Sequence, residues 1–121
     1  MGKVLSKLKI LEKDSRIFLV SHTLDHTSKE RDEVFKYVAK EMEKVIKAYS
    51  YTYLLDMTTY GPVYDEKNRE KFSMGYHPNA MGYYVYALCI GNYIDYIIRK
   101  NYKDFFEVPF IGKGLVNKTY R

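Results

Sequence analysis

Segments with apolar residues at helical spacing alternate along this chain with short, continuous apolar runs. Val4, Leu5, Leu8 and Leu11 fall at helical spacing with lysines between them, which predicts a helix over 4–12, broken by Lys13-Asp14-Ser15. The run 16–21 (RIFLVS) is continuously apolar, the pattern of a short strand covered on both faces in a parallel sheet. A polar loop over 22–27 follows. Thr27-Ser28-Lys29-Glu30 has capping-box spacing, a hydroxyl at the cap and a glutamate three residues on, and predicts a helix to about residue 49. Val34, Val38, Met42, Val45 and Tyr49 form its apolar stripe, widened by Phe35 and Ile46, with charges between them.

A second strand is predicted over 51–57 (YTYLLDM), closing on Asp56. The stretch 58–75 is long and irregular, with Tyr60-Gly61-Pro62 and a short charged helical piece around 66–72. Asn79 is a good N-cap for a helix from Ala80 to about Lys100. Its apolar residues cover most of its circumference, so it is expected to be well buried. Strands alternating with helices mean βαβ units and a parallel sheet, an α/β fold. Two strands are too few for a doubly wound sheet. The pattern therefore predicts that 1–121 is a single partial domain, the back portion of a larger α/β domain, with 101–121 as a basic tail.

Composition narrows the picture. At 121 residues, 46% hydrophobic and 29% charged, the chain has the balance of one globular domain or part of one, which excludes wholesale disorder. A lone cysteine, Cys89, excludes an internal disulfide framework and a cysteine-only zinc cluster, and it fits a reducing compartment. Residues 1–10 lack the apolar run of a signal peptide, which tips an otherwise open choice between cytoplasm and export toward the cytoplasm. The net charge of +5 is moderately basic and does not by itself imply a nucleic-acid partner; none is expected. The most apolar stretch, 81–94, is shorter than the ~20 residues a membrane span needs. The unusual figure is 14 tyrosines with no tryptophan. Tyrosine buries a large apolar body and keeps a polar tip.

Of the residues with usable chemistry, His77 stands out. It follows the long loop after the last strand and precedes the last helix, and sites in open α/β sheets lie outside the carboxyl ends of the strands. Pro78 restricts His77 to extended backbone, and Asn79 fixes the helix start. An imidazole on such a corner suits a general base; the bland alternative is a loop histidine bonded to backbone. His22 and His26 form an H-x-x-x-H pair, but in a loop, with only Asp25 as a further ligand, so no metal site is expected. Asp14-Ser15 precedes a strand rather than following one and reads as a turn. Asp56 either orients a histidine or caps the turn after it. Cys89 reads as inert core, and the tyrosines at 83, 84, 86, 93 and 96 as mostly core at helical spacing.

The segment Gly75-Tyr76-His77-Pro78-Asn79-Ala80-Met81-Gly82-Tyr83 resembles the last conserved block of the SGNH (GDSL-type) hydrolases. The likeness extends through Tyr93-Ile94-Asp95-Tyr96-Ile97-Ile98-Arg99, Asp104-Phe105 and Val108-Pro109-Phe110-Ile111-Gly112, and backwards through Asp56-Met57 and Tyr60-Gly61-Pro62-Val63-Tyr64. The resemblance implies a flavodoxin-like three-layer α/β/α fold. It implies hydrolysis of esters and acyl groups without metal or cofactor, by a serine nucleophile, a histidine base, and glycine and asparagine donors to the oxyanion. No Gly-Asp-Ser turn and no Gly-x-Asn-Asp block is present, and Met74 stands where the family carries the aspartate three residues before its histidine. Only His77 carries over, with a backbone carbonyl, Asp56 or Asp65 to orient it. The expectation is the C-terminal half of such a hydrolase, inactive alone, acting on a small-molecule or carbohydrate ester once completed. The alternative is a non-catalytic remnant or interaction module. Either way, an open sheet edge favours self-association.

Overall fold

A parallel pair of strands, with the helix that joins them, forms the centre of the molecule. The computed structural model describes residues 1–11, 14–24, 28–62, 66–74 and 77–106. In it β1 (Ile17–Val20) and β2 (Thr52–Leu55) run in parallel, Ile17 opposite Thr52 and Val20 opposite Leu55. Parallel neighbours cannot share a tight turn, so the chain crosses over through α2 (Lys29–Ile46). The fold is α/β, as the alternation of strand and helix patterns predicts. Before this unit lies α1 (Gly2–Leu11). After it come α3 (Met57–Tyr60), α4 (Glu66–Phe72), the antiparallel pair β3 (Ser73–Met74) and β4 (His77–Pro78), α5 (Ala80–Lys100) and α6 (Tyr102–Phe105).

The cluster of Leu55, Met57, Ile97 and Phe105 lies on one side of the sheet. Phe18, Tyr53 and Leu55 share a face by the period-two alternation of strands. They pack with Met57, Phe105 and one side of α5, including Ile90, Tyr93, Ile94 and Ile97. Phe105 sits 6.0 Å from the Phe18 ring and 5.3 Å from that of Tyr53. Arg16 Nε donates to the Asp104 carbonyl at 2.7 Å, which ties α6 to the start of β1. Helix α5 therefore runs against the strand direction, with Tyr93 beside Asp56 at the end of β2 and its last turn leading back toward Arg16. Leu5 anchors α1 and is fully buried, and the Tyr49 hydroxyl donates to the Gly2 carbonyl at 3.1 Å.

Several elements differ from their expected limits for local reasons. The cap of α2 is Ser28, whose Oγ accepts the Arg31 N–H at 3.2 Å, one residue later than the capping-box spacing suggests; Thr27 lies outside the described residues. The helix ends at Ile46 because Ala48 and Tyr49 turn to bond the carbonyls of Val45 and Ile46. Its covered face is also rotated from the expected stripe. Asp32, Ala39 and Met42 are buried, while Val34 and Val38 are exposed. Strand β2 stops at Leu55 because Asp56 caps α3, accepting the Thr59 N–H at 3.1 Å.

Helix α5 begins and ends where expected, but most of it is not buried. Only Gly82 and Ile97 are fully covered, and Met81, Tyr83, Tyr84, Leu88 and Tyr96 are exposed. Its 21 residues extend about 31 Å, against about 13 Å for the four residues of β2. The N-terminal half thus runs past the sheet and meets α4 and the β3–β4 pair instead. No helix among the described residues is long and apolar enough to cross a membrane.

Candidate functional site

The corner carrying His77 is heavily constrained. Asn79 Oδ1 accepts the Gly82 N–H at 2.8 Å and caps α5. The Asn79 amide donates to the Lys71 carbonyl at 2.7 Å, and its backbone N–H to the Phe72 carbonyl at 2.9 Å. Gly82 allows α5 to approach closely, since a Cβ there would overlap the Phe72 carbonyl oxygen and lie 2.9 Å from Pro78 Cβ. His77 is extended in β4, as Pro78 requires, and pairs across the ladder with Met74. Its side chain is exposed, and no described residue hydrogen-bonds its ring.

A second polar group gathers where the strands end. Ser21 follows β1 and is 2% exposed. Its hydroxyl donates toward Asp56 Oδ1 at 3.3 Å, accepts the Thr58 N–H at 3.1 Å and lies 3.0 Å from the Thr58 hydroxyl. Thr58 Oγ1 donates to the His22 carbonyl at 2.6 Å. Buried polar atoms are costly unless bonded, so this network locks the exit of β1 to the start of α3. Its depth makes Ser21 a structural hydroxyl rather than an exposed nucleophile. A cleft of about 650 Å³ opens beside it, lined by Asp56, Thr58 and Thr59 and by Tyr37, Lys40 and Glu43 of α2. That is the usual position of a site in an α/β sheet, outside the carboxyl ends of the strands.

The structure does not bring the two groups together. Tyr93 lies beside Asp56, and from Tyr93 back to Ala80 is 13 residues of α5, about 20 Å of helix. Asp56 is spent on capping α3 and on Ser21, so it does not orient His77. Asp65, the other carboxylate considered for that role, lies outside the described residues, as do Asp25, His26 and residues 107–121. The His22 ring stacks on Phe35 with centroids 3.9 Å apart, and its Nδ1 lies 2.5 Å from the Thr23 carbonyl. It is a packed loop histidine. Among the described residues no group of three or more His, Cys, Asp or Glu side chains is placed to hold a metal.

Two features near the strand ends and on α5 leave no local signal in the sequence. The Ser21–Thr58 network joins residues 37 apart, and no local motif announces it. The tyrosines of α5 divide in a way that helical spacing alone does not reveal. Tyr86 and Tyr93 pack on the core, and burial raises both phenols above their ordinary pKa. Tyr83, Tyr84 and Tyr96 face solvent. Comparison with family models, curated proteins and solved structures gives no match to this chain, so its functional reading rests on its own residues.

Proposed function

We propose that this chain is the histidine-bearing C-terminal portion of an SGNH-type ester hydrolase, with the nucleophilic serine supplied by residues outside this sequence. The observation that carries the reading is the 77–79 corner: hydrogen bonds through Asn79 and a glycine contact fix the backbone, while no described residue hydrogen-bonds the His77 ring. In the completed site His77 takes the proton of the attacking serine and returns it to the leaving alcohol. The acceptor for its second ring nitrogen and the oxyanion donors belong to the same completing layer. The unit β1–α2–β2 with α5 then forms the rear of a three-layer α/β/α sandwich of flavodoxin-like order. Its substrate is a small-molecule or carbohydrate ester.

The test is hydrolysis of p-nitrophenyl acetate by two proteins, the 121-residue chain and the product of the reading frame extended upstream of Met1. The chain alone gives no rate above buffer. The extended product hydrolyses the ester, and His77→Ala lowers kcat by at least about a thousandfold. An extended product whose activity survives His77→Ala overturns the proposal. So does a chain that is active alone, because the nucleophile then lies within these residues. The separation of His77 from Asp56 favours a second reading, an interaction module without catalysis. Absence of hydrolysis in both proteins would select it.

A further inference from the structure

Away from His77, α3 and the C-terminal half of α5 enclose a cleft of about 660 Å³, within the usual size of a small-molecule site. Its walls are Tyr60, Tyr93 and Tyr96, with Asn92, Cys89 and Lys100 around them. The Tyr60 and Tyr93 rings meet at 69° with centroids 6.0 Å apart, and those of Tyr93 and Tyr96 at 84° and 6.4 Å. Tyr93 is held against the core, whereas Tyr60 and Tyr96 are exposed and offer ring surface to a flat ligand. The Lys100 ammonium lies 5.6 Å from the Tyr96 ring centroid and 3.3 Å from its hydroxyl. No described carboxylate pairs with it, and the neighbouring acid, Asp95, is taken by Arg99 at 2.9 Å.

We propose that this cleft binds a small planar aromatic carboxylate, its ring against Tyr60 and Tyr96 and its anionic group at Lys100. Tyrosine rings accept a flat aromatic ligand through edge and face contacts. The ammonium sits at the Tyr96 hydroxyl, 3.3 Å away, and has no carboxylate partner among the described residues, so a ligand carboxylate completes it. A cationic ligand would meet Lys100 as a like charge. A neutral ring would leave that ammonium unused. The site stands about 20 Å along α5 from the His77 corner and does not depend on the hydrolase reading.

The experiment titrates the whole chain with 2-naphthoate, 2-naphthylmethanol and cyclohexanecarboxylate, followed by calorimetry and by amide NMR shifts. The expected result is saturable binding of 2-naphthoate with shifts centred on Tyr60, Asn92, Tyr96 and Lys100. Lys100→Gln weakens 2-naphthoate at least about fivefold and leaves the alcohol unchanged. Tyr96→Ala weakens both naphthalenes, and cyclohexanecarboxylate binds weakest of the three. Equal affinity for all three compounds, shifts centred elsewhere, or indifference to Lys100→Gln overturns the proposal. Both substitutions are at exposed positions, so the fold survives them and a negative result is interpretable.

Discussion

Tyr53 projects from β2 into the aromatic cluster and donates its hydroxyl to the Asp104 carboxylate at 2.5 Å. Burial first, then that hydrogen bond and the carboxylate's charge, push the phenol well above its ordinary pKa of 10.0. The sign of the consequence follows. Above about pH 10 the unfolded chain releases this proton while the folded chain keeps it, so stability present below the ordinary pKa is lost as pH rises. Melting at about pH 9 and about pH 11 should show a fall that Tyr53→Phe makes shallower. At neutral pH the same substitution costs about 1.5 kcal/mol, the low end for a bond to a charged acceptor because the pair is only partly buried. An equally steep fall in the variant would assign the pH dependence to other groups. Asp56 was legible at this scale as a capping candidate, since a carboxylate after a strand caps whatever turn follows. The Tyr53–Asp104 bond was not, because it spans 51 residues and depends on where α6 docks.

Two glycines of one helix behave differently according to what α5 packs on. Gly91 has nothing within 4 Å of an added Cβ, so Gly91→Ala gains helix propensity and stabilises by about 1 kcal/mol. Gly82 lies against the Phe72 carbonyl and Pro78, so Gly82→Ala gains the same propensity but must push α5 off α4 and β4. Overpacking of this kind costs about 1–3 kcal/mol, and the net change is destabilising. Urea unfolding of the two variants checks the contrast, and equal stabilisation of both would mean that α5 does not press on this corner. Element limits were largely readable, because caps and periodicity are local. The two strands, α4 and α5 all fall where the pattern places them. The buried face of α2 was not readable. Its heptad-like valines and its Asp32–Ala39–Met42 face are both plausible from spacing, and only the position of the sheet selects between them.

That rotation leaves a surface whose consequence belongs to the whole molecule. Val34, Tyr37 and Val38 stand exposed along the outer side of α2, and Val20 is 41% exposed at the end of β1. Among the described residues each strand of the parallel pair has one partner, which leaves each with one backbone edge that no described strand covers. Apolar faces and open edges of this kind associate in water, the first by burying area and the second by completing hydrogen bonds. The chain should therefore self-associate reversibly, with a sedimentation coefficient that rises with concentration. The paired substitution Val34→Glu and Val38→Lys tells the two surfaces apart. Both positions are exposed, so the helical circular dichroism should not change. If the variant stays monomeric where the parent associates, the α2 face is the contact, and it is the face that a completing layer of the domain would cover. If association persists, the edge of the sheet is the contact. A parent chain that remains monomeric at every concentration would mean that this surface needs no cover, and the partial-domain reading would fall with it.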